Sequence, residues 1–342
     1  MAGSRRNTVT GARGRTARLG GIALAGLLAA ALTGCGAAAR DDDAPAAADG
    51  GGGAYPVTVA TSQGEVTVES APERVVALGF SSADELISLG VAPVKVAVDP
   101  DTLAENAPWL VDPLTEAAGG DLASVADPSL VTADGSPDLE AIATAAPDLI
   151  IAEVYQVPDR AAFDRLNAIA PTITPDTDAF NPDWDERLLS TAAAVDRTER
   201  ARELIAELEE EFAAAGAEVP GIGDRTYQWV RADDNGYVFG NGSLFELFGM
   251  RPADNQDNTQ TAAALSLENT GDLDADLLAV WAQTEERQAE LEADPLFREL
   301  PSVRNGTVYF AGLDFANAIN SPAPISLRWL RDELSPVVGA LA

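Results

Sequence analysis

Alternation of apolar and polar positions opens the patterned part of the chain. In YPVTVATSQGEVTVES (Tyr55–Ser70), valines alternate with polar residues on both sides of Ser62-Gln63-Gly64, which predicts a hairpin. RVVALG (Arg74–Gly79) is a continuous apolar run and predicts a buried strand, followed by a helix over Ser82–Leu89 and a strand in APVKVAV (Ala92–Val98). A long loop carrying Trp109 is expected next. A helix over Leu139–Ala145 then leads through Pro147 into a strand over Asp148–Ala152. Helix Asp159–Ile169 and strand Pro171–Thr174 complete the series. Strands alternating with helices predict an α/β fold with a mostly parallel sheet.

The next segment, NPDWDERLLSTAAAVDRTERARELIAELEEEFAAAGAEV (Asn181–Val219), predicts one long helix over Trp184–Ala215. Leu204, Ile205, Leu208 and Phe212 recur at helical spacing, and Gly216 and Pro220 mark the stop. A second α/β series follows. It comprises TYQWV (Thr226–Val230), GYVFG, a helix over Ser243–Phe248, ADLLAVW (Ala275–Trp281), a helix over Glu285–Leu291, GTVYFAG (Gly306–Gly312) and a last helix over Pro324–Val338.

The two series share a repeat. DLEAIATAAPDLIIA (Asp138–Ala152) and SLENTGDLDADLLAV (Ser266–Val280) each contain Leu-Glu, then an aspartate eight residues after the glutamate, then an apolar strand. Glu140 and Asp148 in the first match Glu268 and Asp276 in the second.

The N-terminus reads as a targeting segment. Arg5, Arg6, Arg13, Arg15 and Arg18 precede the apolar run Leu19–Ala31, which is too short to span a bilayer as a stable helix. LTGC (Leu32–Cys35) follows and resembles a bacterial lipobox, which implies lipidation of Cys35 after cleavage. Cys35 is the only cysteine, so no intramolecular disulfide can form. The polar, low-complexity stretch after it predicts a flexible tether. The expected organisation is a signal peptide over 1–34, a tether over 35–55, a first α/β lobe over 56–180, a connecting helix over 181–219 and a second lobe over 220–342. The expected location is extracytoplasmic, anchored to the cell membrane.

Charge and composition remove several functions. The 342 residues carry 22 basic and 55 acidic side chains, a formal net charge of −33, which opposes binding to a phosphate backbone. There is no histidine, so the commonest general base and zinc ligand are missing and a Ser–His–Asp triad cannot be built. No P-loop, dinucleotide fingerprint, zincin motif or nucleophile elbow is present. DLDAD (Asp272–Asp276) lacks the glycine and the final glutamate of a calcium loop. No enzyme, resident metal or cofactor is expected.

Taken together, ERVVALG, DELISLGVAPVKV, DLEAIATAAPDLII, LSLENTGDLDADLLAV and PLFRELPSVRNGTVYF resemble the substrate-binding lipoproteins of ABC importers for iron–siderophores, whose relatives carry cobalamin and haem. The resemblance covers about Val57 to Leu341. It implies two Rossmann-like α/β lobes joined by a single long helix, a ligand cleft between them, and a monomer that delivers a ferric siderophore to permease subunits. It also implies that Glu140 and Glu268 dock on the permease, one from each lobe. Their position in a first helical turn equally suits stabilisation of a helix dipole.

In parallel sheets, ligands bind beyond the carboxyl ends of strands. Those ends offer Ser81, Ser82, Glu153, Tyr155 and Gln156 in the first lobe, with Trp109 from its loop. The second lobe offers Trp229, Arg231, Tyr237, Trp281, Gln283, Asp314, Phe315 and Asn317. Trp229 and Trp281 also fit as core residues closing their strands. With Arg231 as the one cation in this set, the expected ligand is a neutral or cationic ferric hydroxamate or mixed-type siderophore; Arg225, Arg251 and Arg304 are the cations that would change that balance. A haem or cobalamin carrier, or direct chelation of a metal by residues such as Glu153, Tyr155 and Tyr237, are the alternatives.

Overall fold

The structure is a computed structural model and describes residues 55–177, 179, 182–261 and 263–342. The signal peptide, Cys35 and all of the tether except Tyr55 lie outside the described residues. β1 (Val57–Thr61) and β2 (Gly64–Val68) form the expected antiparallel hairpin, with Thr61 opposite Gly64. Val59, Val66 and Val68 are buried on one face, while Thr58 and Thr67 pair on the other.

In the first lobe the chain runs through β3 (Val75–Ala77), α1 (Phe80–Ser88), β4 (Lys95–Val96), α2 (Leu103–Asn106), α3 (Pro108–Ala117), α4 (Leu122–Val125), α5 (Leu139–Thr144), β5 (Leu149–Ile151), α6 (Arg160–Asn167) and β6 (Thr172–Ile173). The sheet is parallel, in the order β4-β3-β5-β6. Every residue of β3 and β5 is buried, as a sheet covered on both faces requires. The region expected to be a long loop contains three helices, α2 to α4. Trp109 lies in the first turn of α3, directly after the Pro108 that opens it.

The connecting segment is also not one helix. α7 (Trp184–Ala194) and α8 (Thr198–Ala217) are separated at Val195–Arg197. Asp196 adopts a left-handed conformation with φ of 53°, and Arg197 N donates to Ala192 O at 2.8 Å. This is a Schellman-type stop, with an aspartate in the position glycine usually fills. Periodicity carried through Ala193–Val195 hides this break.

The second lobe contains β7 (Thr226–Asp233), β8 (Gly236–Phe239), α9 (Leu244–Leu247), β9 (Arg251–Pro252), β10 (Leu277–Trp281), α10 (Glu285–Ala293), α11 (Pro295–Arg298), α12 (Pro301–Asn305), β11 (Val308–Phe310), α13 (Leu313–Asn320) and α14 (Pro324–Gly339). Its sheet runs β11-β10-β7-β8, parallel except for β8, with β9 beside β7. One face, through Val230, Leu278 and Val280, covers a small core with Phe297 and Leu300. The other, through Tyr227, Trp229 and Leu277, joins a core that continues into the first lobe.

That continuity runs through α14, which packs on α1, α3 and α8. Asp84 of α1 accepts hydrogen bonds from Ile325 N and Ser326 N, both 2.8 Å, at the first turn of α14. Burial of two free N–H groups against a carboxylate satisfies donors that a helix cannot pair internally. Although it follows the second lobe in sequence, α14 is therefore also a structural part of the first.

Candidate functional site

The carboxyl ends of β3 and β5 meet α13 around a cavity of about 250 Å³, lined among others by Ser81, Glu153, Tyr155, Gln156, Asn317 and Asn320. Its floor is tied by side chains. Gln156 donates from Nε2 to Leu78 O at 2.7 Å and accepts from Glu153 N at 2.9 Å, which holds the exits of the two strands together. Ser81 Oγ donates to Glu153 Oε1 at 2.6 Å, and Ser82 N reaches the same oxygen at 3.3 Å. Gly79 makes this possible: a Cβ there would stand 2.7 Å from Glu153 Oε1. On the facing side, Asn317 and Asn320 are three residues apart and share one face of α13. Asn317 Nδ2 donates to Asn106 O at 3.0 Å, fixing α13 to the end of α2.

Tyr155 is the exposed large apolar surface of this wall, at 50% exposure. Partial burial, with Glu153 nearby, pushes its phenol up to about 12. It therefore stays protonated at neutral pH and presents a hydrogen-bond donor and an aromatic face. Among the described residues lining the cavity there is no arginine or lysine.

The strand-end reading thus brings Ser81, Tyr155 and Gln156 together with Glu153 and Asn317. The large aromatics fall elsewhere. Trp109 is buried against Trp329, with ring centroids 5.1 Å apart, and braces α3 on α14. Trp229 stands edge-on to Phe315 at 5.5 Å, and a Cβ at Gly240 would come within 2.1 Å of its Nε1. Phe315 is fully buried between Trp229 and Tyr309. Tyr237 is fully buried in the small core, its hydroxyl 2.9 Å from Thr270 Oγ1. Large aromatic rings bury more apolar area packed inside the core than in a solvated wall, and these four do so. Trp281 and Arg231 are register neighbours on β10 and β7 and remain half-buried, outside the cavity lining. Arg231 pairs with Asp233 at 3.4 Å. Asn320 and Ser321 line the cavity and were not singled out by strand-end reasoning, because they lie at the far end of a helix. Asparagines at helical spacing in NAIN were the available signal.

Behind the cavity floor lies a buried charged network. Glu153 also borders a small chamber shared with Glu85, Thr174, Arg187 and Thr191. Glu85 Oε1 is 3.3 Å from Arg187 Nε, and Thr191 Oγ1 donates to Glu85 Oε2 at 2.6 Å. Arg187 in turn reaches Pro322 O, next to α14. Burial pushes the Asp84 carboxyl up to about 6, against the pull of the Ile325 and Ser326 N–H groups. Burial likewise pushes Glu85 up to about 7, with Arg187 opposing and Glu153 adding to the rise.

Glu140 and Glu268, the glutamates expected to dock, are both exposed. Glu140 lies in the first turn of α5, whose N-cap Asp138 accepts from Glu140 N and Ala141 N. Glu268 lies in the first turn of a 3₁₀ segment, Leu267–Asp272. Among the described residues no group of three or more His, Cys, Asp or Glu side chains is placed to hold a metal ion.

A family model described as "Periplasmic binding protein" matches residues 75–314. The Fe(3+)-citrate-binding protein YfmC of Bacillus subtilis is 29% identical over 264 residues, covering 74% of this chain and 77% of that protein. The "Probable siderophore-binding lipoprotein YfiY" of the same organism is 26% identical over 257 residues, covering 70% and 74%. Among solved structures, PiaA of Streptococcus pneumoniae TIGR4 in complex with ferrichrome superimposes with a TM-score of 0.68 at 19% identity, covering 83% of this chain and 97% of that one, a likeness of fold. With the match covering residues 75–314, which include both parallel sheets, the chain belongs to the periplasmic binding protein family.

Proposed function

We propose that this chain captures a ferric siderophore in the cavity between the β3–β5 exits and α13 and delivers it to the permease of an ABC importer. The observation that carries this reading is the cavity lining. Hydrogen-bonding groups surround an exposed tyrosine, and no cation is among the described lining residues. Such a wall suits a neutral or cationic ferric complex of the hydroxamate or mixed type, because a multiply charged anion would be desolvated without a counter-charge. Arg225, Arg251 and Arg304 do not alter this balance, since each is engaged by an acid elsewhere: Asp276, Asp224 and Glu299. The relatives named for Fe(3+)-citrate and siderophores support the ligand class.

The YfmC likeness favours a second reading, a ferric citrate complex. Titration of the purified apo protein with a ferric trihydroxamate, ferric dicitrate, a ferric tris-catecholate, cobalamin and haem, followed by tryptophan emission, separates them. Submicromolar binding of the trihydroxamate is expected. Tight binding of the tris-catecholate or dicitrate with no response to hydroxamates would overturn the charge argument.

In the same reading, Cys35 carries the lipid anchor that holds the protein outside the cytoplasmic membrane, and Glu140 and Glu268 meet two permease subunits. Two carboxylates in equivalent positions of a repeat suit a partner with two-fold symmetry. Metabolic labelling with an alkynyl fatty acid tests the anchor: label lost in Cys35→Ala is expected, and label retained there refutes it.

A further inference from the structure

Glu153 is placed in a way that its structural role does not exhaust. The side chain is 8% exposed and lines the cavity directly. Its Oε1 caps the start of α1 through Ser81 Oγ and Ser82 N, and the side chain also closes a capping box with Gln156. A neutral glutamine or a serine could supply the same cap. A carboxylate there carries an additional cost, because a buried negative charge needs compensation. The nearest guanidinium in the adjoining chamber, Arg187, is engaged by Glu85 and Pro322 O. Glu85 behind it is also acidic, and the described residues of the cavity lining include no cation. The floor of the cleft is therefore a carboxylate that borders the cavity, with no cation beside it among the described lining residues.

We propose that Glu153 is a cation-recognition subsite within the ligand cleft: it takes a protonated amine borne by an otherwise neutral ferric complex. This rests on the siderophore reading above and narrows it to complexes carrying an ammonium group. The pairing is a charge-assisted hydrogen bond in a desolvated cavity, where an ion pair of good geometry is strongest and the unpaired alternative costs most. Tyr155 Oη faces the same cavity and suits the chelating oxygens of the complex.

The test uses the full purified protein and two probes that differ in one group. These are a linear ferric trihydroxamate with a terminal primary amine and its N-acetyl derivative, each titrated by tryptophan quenching. Wild type is expected to bind the amine form at least about tenfold more tightly, and the ratio should shrink as salt is raised. In Glu153→Gln, which keeps an acceptor for Ser81, the ratio should fall to near one. Equal affinities in wild type overturn the subsite while leaving the siderophore reading standing. A ratio that persists in Glu153→Gln overturns it too. If neither complex binds wild type, the siderophore reading and the subsite fall together. Should Glu153→Gln not fold, the wild-type ratio and its salt dependence decide by themselves.

Discussion

Asp148 and Asp276 occupy the same place in the two lobes. Asp148 Oδ1 accepts from Arg74 N at 2.8 Å, and Asp276 Oδ2 accepts from Thr226 N at 2.9 Å. Each aspartate directly precedes a strand and binds the backbone N–H at the start of the neighbouring parallel strand, Arg74 just before β3 and Thr226 as the first residue of β7, so that Val75 lies opposite Leu149 and Tyr227 opposite Leu277. The aspartate of the repeat thus sets strand register. The glutamate eight residues before it makes no side-chain hydrogen bond or ion pair to any described residue.

That division of labour gives the first prediction. Asp148→Ala and Asp276→Ala each remove charge-assisted hydrogen bonds and should destabilise the fold by about 1–3 kcal/mol. Denaturant midpoints measure this. No change in either variant would show that the pairing is dispensable.

The two glutamates should behave oppositely. Glu140→Arg combined with Glu268→Arg should leave the denaturation midpoint within about 0.5 kcal/mol of wild type, as exposed substitutions do. Ligand affinity should stay within a few-fold, while uptake into cells is lost. Normal uptake by this double variant would refute the docking role.

Trp109→Ala should now act on stability, not on the ligand. Removing a buried tryptophan packed against Trp329 should cost about 3–5 kcal/mol. The surviving folded protein should retain its affinity. A many-fold loss of affinity with unchanged stability would return Trp109 to the cleft.

Asp84 and Glu85 should tie stability to pH. Their folded values, about 6 and about 7, lie above the ordinary 3.8 and 4.5, mainly because burial disfavours the charged forms. The folded state therefore holds these protons more tightly than the unfolded chain. The stabilisation from this pair is full below the ordinary values and is lost as pH rises through 6 and 7. Urea midpoints from pH 5 to 8 should fall in wild type and fall less in Asp84→Asn. An identical slope in both would contradict the assignment.

Tyr155→Phe removes a donor from the exposed wall of the cavity without changing its shape. It should weaken binding of a ferric trihydroxamate by about 0.5–1.5 kcal/mol, read from the quenching isotherm. Unchanged affinity would remove the hydroxyl from the site.

The sequence by itself determined the two α/β series, the hairpin, the parallel order implied by apolar runs, and the repeat that marks Glu140 and Glu268. These rest on local pattern, because a strand covered on both faces must be apolar along its length, as Val75–Ala77 and Leu149–Ile151 are. Part of the cavity lining was legible for the same reason: a residue directly after a parallel strand has little freedom to be elsewhere, so Ser81, Glu153, Tyr155 and Gln156, expected at the strand ends, line it. Tertiary structure decided the remainder. Whether Trp109, Trp229, Tyr237 and Phe315 line a cavity or fill a core depends on what packs over them, and Trp329, Gly240 and Thr270 are far away in sequence or hidden in turns. The break at Asp196 depends on one left-handed residue inside an unbroken periodic pattern. The return of α14 to the first lobe depends on Asp84 meeting Ile325 and Ser326, a contact between residues 241 and 242 positions apart that no local pattern encodes.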